Sequence, residues 1–315
     1  MELIDNYQPE YVKRFNADHE KCRCQACKSG KENFPIVNLR WKNQHRQSLS
    51  ISCLKAAKEI LLNPQSFILH ESKISSESSL LLNTSLEMIN QLCINFAIYP
   101  GISLEHKIYL IGVLLSKVHK DNSKITSDIS MLDELSRNLY SLADNNQIQQ
   151  QMNQLPEIIQ IRLQALKEIG KIKLDINLPF EHKMAFMLKL SELTILNDER
   201  LTERLHQIQV AWEHGDEFFK SNQEIFNNLL IYMIYNTTFP DSNESYGASF
   251  FYLAEHIFRL KMIIAIYCEE IACFEKEQVV ALISAYFEWN ERVKTIEVNI
   301  NQDSENLLLS GFALL

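Results

Sequence analysis

Three cysteines lie close together near the start of the chain, in the run Cys22-Arg23-Cys24-Gln25-Ala26-Cys27. This C-x-C-x-x-C spacing lets three thiols reach one ion, and a closed site needs a fourth ligand. Lys21, Arg23 and Lys28 are cationic neighbours, and we expect them to lower the thiol pKa values and favour thiolates. Thiolates bind zinc or iron–sulfur clusters in preference to magnesium or calcium. The run therefore predicts a metal centre and leaves zinc and an iron–sulfur cluster both open.

The fourth ligand must come from elsewhere in the chain. Cys53 stands at the start of the first strongly periodic helical segment, and we predict that it completes a ligand set of Cys22, Cys24, Cys27 and Cys53. A histidine, His19 or His45, is the alternative fourth ligand. The alternative to a metal centre is three unligated thiols on an N-terminal segment.

The other three cysteines are predicted to pack in the core and not to bind a metal. Cys93, Cys268 and Cys273 lie on apolar faces of helical segments, where cysteine behaves as a small core residue. The opening residues MELIDNYQPEYVKRF lack the apolar core of a signal peptide. We therefore expect a cytoplasmic protein whose thiols stay reduced.

The elements that must position these cysteines are predicted to be helices. The chain has 315 residues, of which 46% are hydrophobic, and only seven are glycine and seven proline. Sandwiches and barrels need many such residues at their turns, so their scarcity favours a mostly α fold. Apolar residues recur at helical spacing from Leu49 onward and predict about ten helices. Downstream of Pro156 the predicted helices lie near 156–169, 180–196, 198–213, 222–237, 247–272, 275–298 and 303–315.

The composition changes along the chain and suggests its organisation. Residues 1–48 are polar and predict an irregular, cysteine-bearing N-terminal segment, whereas residues 49–315 predict a multi-helix domain. An upstream helical pattern runs from Ile129 to Leu142 and ends in the Asn- and Gln-rich stretch 144–154. That stretch is polar and unpatterned, so it is the candidate for an internal linker.

Charge and motifs exclude several classes of function. The net charge of −9 argues against a protein that grips nucleic acid, and no apolar stretch is long enough to span a membrane. The chain has no glycine-rich nucleotide loop, no G-x-S-x-G and no H-E-x-x-H. The motifs therefore identify neither catalytic nor cofactor-binding residues.

Several stretches, taken in order, resemble the flagellin lysine-N-methylase family of bacteria. Pro9–Cys27 is similar to the start of that family, in which an Arg-Phe pair leads into a cysteine cluster. Gln47–Pro64 resembles the family's Ser-Cys signature and the helix after it, with Leu54 in place of a proline. Leu92–Leu115 is similar to the helix pair that follows. The C-terminal stretches that also resemble the family are LLIYMIYNTTFP, FFYLAEHIFRLKMIIAI, VVALISAYFEWNERV and LLLSGFALL.

The resemblance implies transfer of a methyl group from S-adenosylmethionine to lysine side chains of flagellin. It also implies a cysteine-ligated iron–sulfur or zinc-like centre. The family has a longer cysteine-bearing segment where this chain passes from Cys27 directly to Phe34-Pro35. Three functions therefore stay open: a lysine methyltransferase, a non-catalytic relative that binds flagellin or another partner, and a zinc-stabilised helical interaction protein.

Overall fold

A computed structural model shows fifteen helices and four strands in the part of the chain that it describes, which confirms the predicted mostly α class. Within that part, none of the helices has the length and apolar character that a membrane span requires. The structure describes residues 3–18, 20, 22–30, 32–75, 78–120, 130–269, 275–293 and 303–315.

The strands form one sheet near the start of the chain, in the order β2-β3-β1-β4. β1 pairs with β3 in parallel, whereas the β1–β4 and β2–β3 pairs are antiparallel. No strand was predicted here, because β3 has the polar sequence QHRQSL and lacks the apolar alternation by which a strand is recognised. The strands are β1 Leu3–Pro9, β2 Ile36–Arg40, β3 Gln44–Leu49 and β4 Leu69–Ser75.

The helices are four to six turns long where the apolar pattern is strongest and much shorter in the N-terminal region. Three of them lie between the strands: α1 Glu10–Ala17, α2 Gln25–Ser29 and α3 Leu54–Leu61. The next five are α4 Thr84–Ile98, α5 Leu104–Lys120, α6 Ser130–Asp144, α7 Ile148–Met152 and α8 Ile159–Ile169. The last seven are α9 Phe180–Glu192, α10 Asp198–His214, α11 Asp216–Ser221, α12 Gln223–Asn236, α13 Tyr246–Cys268, α14 Lys276–Val293 and α15 Ser304–Ala313.

The seven helices predicted downstream of Pro156 all occur, as α8 to α10 and α12 to α15. Their observed ends differ from the predicted ones by a few residues. The predicted ends at 270–272 and 294–298, and Ile129 of the upstream pattern, lie outside the described residues. The stretch 144–154 contains the end of α6 and the short helix α7, and its role as a linker stays a prediction.

The chain forms two compact units, each built from separate stretches of sequence. The first unit combines Met1–Leu82, Leu163–Leu229 and Arg259–Asn299, so it contains the sheet and the cysteine segment. Within it α3 packs against α14, and Asn228 donates hydrogen bonds to the carbonyls of Leu61 (3.3 Å) and Asn63 (2.8 Å). These hydrogen bonds satisfy carbonyls at the end of α3 that have no partner within the helix.

The second unit combines Asn83–Arg162, Leu230–Phe258 and Ile300–Leu315. Its helices approach one another closely at Gly247, whose amide donates to Ser304 Oγ at 3.1 Å. A Cβ atom at Gly247 would lie only 2.0 Å from the Ser304 carbonyl oxygen, so this approach requires glycine.

A buried amide ties the second unit together elsewhere. Asn90 is 1% exposed and donates hydrogen bonds to the carbonyls of Ile234 (3.1 Å) and Phe239 (2.7 Å). Because buried carbonyls need donors, this side chain fixes α4 against the end of α12.

Candidate metal centre and adjoining cavity

The four predicted ligands lie together in the first unit. Cys24 immediately precedes α2 and Cys27 lies inside it, so one helical turn places both thiols on the same side. Cys53 immediately precedes α3, and Cys22 lies just upstream of α2. The four Sγ atoms all lie within 4.8 Å of one another, and those of Cys27 and Cys53 are 3.5 Å apart. The cluster can therefore offer four sulfur ligands to one ion.

The thiols differ in their readiness to ionise. A hydrogen bond from the Cys53 thiol lowers the pKa of Cys24 to about 4 and raises the pKa of Cys53. Burial raises the pKa of Cys27 to about 12. The prediction that cationic neighbours lower the thiol pKa values is therefore wrong for Cys27 and Cys53, because burial and the thiolate of Cys24 dominate. In the absence of a cation, these pKa shifts favour a thiolate at Cys24 beside protonated thiols at Cys27 and Cys53.

The loop before Cys53 is held in place by hydrogen bonds to α14. Ser50 and Ser52 donate to the two carboxylate oxygens of Glu291, at 3.1 and 2.8 Å. Ser284 donates to the Ser52 carbonyl at 3.1 Å. These bonds fix the backbone beside the buried Cys53, whereas Cys22, Cys24 and Cys27 are partly exposed. Cys53 is therefore the predicted ligand that is anchored most firmly in the core.

Of the two histidine alternatives, His45 does not join the described cluster. His45 lies in β3, where its Nδ1 is 2.6 Å from Asn6 Oδ1 and its Nε2 is 3.2 Å from Asn38 Oδ1. Burial lowers the pKa of His45, which favours the neutral ring. His19 lies outside the described residues, as do Lys21 and Cys273.

Of the cysteines predicted to pack in the core, Cys93 is fully buried in the second unit, where burial raises its pKa. Cys268 is only partly buried, at the end of α13, and burial raises its pKa to about 12. Neither thiol belongs to the four-sulfur cluster.

A cavity of about 390 Å³ adjoins the cluster within the first unit. Cys24 lines it, so one wall of the cavity is also part of the cysteine cluster. The other walls come from the start of α3, the segment before α9, the end of α13 and one face of α14. Its volume is in the range of small-molecule and side-chain binding sites.

The polar groups of the cavity wall include a buried acid and a buried hydroxyl. Glu288 on α14 is 8% exposed, and burial raises the pKa of its carboxyl group. Tyr267 at the end of α13 is 1% exposed, and burial raises the pKa of its hydroxyl group. A cavity that combines apolar walls with a few buried polar groups is a typical binding site.

Neither residue was predicted from the sequence. Glu288 was recognisable in principle, because it continues the face of Ala281, Ser284 and Ala285 at helical spacing. Tyr267 gives no such signal, because it stands in a uniformly apolar stretch where a tyrosine is an ordinary core residue.

A sequence model described as the FliB lysine N-methylase C-terminal domain matches residues 90–308, more than two thirds of the chain. The chain therefore belongs to the flagellin lysine N-methylase family. The matched region contains Tyr267 and Glu288 but not the cysteine cluster. Comparisons with curated proteins and with solved structures gave no match.

Proposed function

We propose that the chain transfers methyl groups from S-adenosylmethionine to the ε-amines of lysine side chains on flagellin. The observation that carries the proposal is the family match over residues 90–308. In this reaction the lone pair of a neutral amine forms a bond to the methyl carbon. The carbon–sulfur bond breaks, its electron pair stays on sulfur as S-adenosylhomocysteine, and the methylated nitrogen then gives up a proton to solvent.

The protein's contribution to this reaction is alignment and control of the amine. The sulfonium group already activates the methyl carbon, so a site must bring nitrogen and carbon into line and allow the amine to lose its proton. The net charge of −9 suits a partner that presents lysine side chains. We place the reaction in the cytoplasm, where thiols stay reduced.

The test is direct transfer. The purified full chain is incubated with flagellin and methyl-labelled S-adenosylmethionine, and flagellin peptides are analysed by mass spectrometry for methylated lysines. We expect label on lysine and none on flagellin whose lysines were methylated chemically beforehand. Flagellin that is retained on the immobilised chain without gaining label would contradict the proposal and support the alternative, a non-catalytic flagellin-binding relative.

We also propose that Cys22, Cys24, Cys27 and Cys53 bind one metal ion, with zinc as the preferred ion. Two sulfurs that each lie about 2.3 Å from the same zinc can be at most about 4.6 Å apart. The four Sγ atoms lie within 4.8 Å of one another, so binding of one zinc ion would need the most widely spaced sulfurs to move slightly closer. When bound, such an ion cross-links the α2 segment to the start of α3, and four thiolates keep a net negative charge beside the cavity.

The same distances argue against an iron–sulfur cluster in this chain. In a cluster of several irons the cysteines bind different irons, and bridging sulfides occupy the space between them. The four cysteines must then stand farther apart than ligands of a single ion do. Four sulfurs that all lie within 4.8 Å of one another therefore support a single ion as the proposed ligand.

Metal analysis tests this site independently of methyl transfer. We expect one equivalent of metal per chain, no acid-labile sulfide, and a loss of metal in each of C22S, C24S, C27S and C53S. The matched control is C93A, which removes a buried thiol of the second unit and should keep its metal. Unchanged metal in all four serine variants, or several irons with labile sulfide, would overturn the proposal.

A further inference from the structure

The cavity beside Cys24 contains a polar group that lacks a partner. The hydroxyl of Tyr267, 1% exposed at the cavity wall, has no hydrogen-bond partner among the described residues. Its ring packs edge-on against Phe186, with ring centroids 5.5 Å apart, so the hydroxyl position is fixed. Because buried polar groups in proteins are almost always paired, an unpaired hydroxyl at a cavity wall indicates that a ligand supplies the partner.

A buried carboxylate lines the same cavity. Glu288 is 8% exposed, and its Oε1 lies 3.8 Å from Nε of Arg292, which is longer than a hydrogen bond. The other buried polar residues of the wall are Ser52, which donates to Glu291, and Ser284, which donates to the Ser52 carbonyl. Glu288 therefore keeps capacity to accept a hydrogen bond from a cationic ligand, and Tyr267 can accept one as well.

The rest of the wall combines aliphatic and charged side chains. Leu54, Ile176, Leu178 and Leu282 supply the aliphatic part. Lys28, Lys183 and Asp175 also line the cavity, and Lys183 pairs with Asp175 at 3.4 Å. A ligand that matches the aliphatic part together with Tyr267 and Glu288 has a flexible hydrocarbon stem and one cationic end. The side chain of lysine has both parts, and its stem packs on apolar surface while its nitrogen seeks polar partners.

We propose that this cavity receives the side chain of a lysine, and that the Glu288 carboxylate and the Tyr267 hydroxyl bind its nitrogen. The inference rests on the proposed function, which it deepens by naming the acceptor site. Glu288 and Tyr267 are binding residues in this scheme. Cys24 in the same wall brings the lysine nitrogen next to the cysteine cluster.

Binding of a small lysine analogue tests the site without any methyl transfer. The probe is Nα-acetyl-lysine methylamide, titrated into the full chain and followed by ligand-observed NMR. Its matched control ligand is Nα-acetyl-norleucine methylamide, which has a similar hydrocarbon stem but no nitrogen at its end. We expect a dissociation constant on the order of millimolar for the lysine probe, as is usual for small fragments, and much weaker binding of the norleucine control.

Variants then assign the binding to the cavity. E288Q keeps the shape of the side chain and should weaken the lysine probe about tenfold or more, and Y267F should weaken it severalfold. A281F fills the cavity from α14 and should abolish binding. The control E277Q removes an exposed acid from the first turn of α14, outside the cavity, and should bind the probe as the unchanged chain does.

The outcomes separate this proposal from the proposed function. Probe binding that E288Q, Y267F and A281F all leave unchanged would overturn the lysine site, even if flagellin were methylated. Competition of the lysine probe by S-adenosylhomocysteine, with the same variants weakening that product instead, would assign the cavity to the methyl donor and also overturn it. Probe binding that depends on these residues in a chain that transfers no methyl group would support the lysine site and contradict only the methyltransferase proposal.

Discussion

Acidification should weaken metal binding steeply if the four cysteines are the ligands. Burial raises the pKa of Cys27 to about 12, and the hydrogen bond to Cys24 together with burial raises the pKa of Cys53. Both thiols are therefore protonated near neutral pH and must lose their protons when the ion binds. Cys24, with a pKa of about 4, is already a thiolate there and releases no proton.

The size of the effect follows from the number of protons released. Each released proton changes the apparent affinity tenfold per pH unit, or about 1.4 kcal/mol. The two protons of Cys27 and Cys53 therefore weaken binding at least about a hundredfold, or about 2.7 kcal/mol, when the pH falls from 8 to 7. Acidification must weaken the apparent metal affinity and not strengthen it, because a raised thiol pKa favours the protonated form that cannot bind the ion.

The assay is competition for zinc with a chromophoric chelator at several pH values between 6.5 and 8, corrected for protonation of the chelator. The logarithm of the apparent affinity should rise with a slope of two or more. In C27S, which lacks one of the two protonated thiols, any remaining affinity should show a slope smaller by about one. A slope below one in the unchanged chain would contradict the prediction, since it would mean that Cys27 and Cys53 do not lose their protons when the ion binds.

Three further predictions concern stability and can be measured by urea unfolding. Burial alone would raise the pKa of Glu269, but hydrogen bonds from two cations hold it below its usual value, the Arg204 pair being 2.7 Å long. E269Q should therefore cost about 2 kcal/mol at pH 7, and the difference should shrink as the pH falls through the folded-state pKa. N90A removes two buried hydrogen bonds and should cost about 1–3 kcal/mol, whereas an unchanged midpoint would contradict the role of Asn90. G247A should cost at least about 1–3 kcal/mol, because its Cβ would meet the Ser304 carbonyl, and its unchanged stability would disprove that close approach.

Local spacing in the sequence predicts only part of the cysteine cluster. The positions of Cys24 and Cys27 follow from one turn of helix, so their proximity was predictable from sequence. The approach of Cys53 depends on tertiary packing, and its inclusion rested only on its place before a strong helix. The order of the thiol pKa values was not predictable, because it depends on burial and on which thiol donates to which.

The sheet and the cavity could not be predicted from the sequence. Helices such as α13 and α14 follow from apolar periodicity, which is a property of each segment alone. The polar strand β3 carries no such pattern and is held by pairing with β1 and β2. Tyr267 and Glu288 line one cavity although they stand on different helices, α13 and α14, and no single segment of sequence reveals this.

The discontinuous first unit has a consequence for synthesis of the chain on the ribosome. The stretch before Leu82 emerges early, yet α14, against which α3 packs, is among the last helices to be made. At typical rates of 5–20 residues per second the early stretch waits roughly 10–40 s for that partner. During this interval Cys53 and the apolar side of α3 are not buried against α14. Nascent chains should therefore bind chaperones that recognise exposed apolar segments.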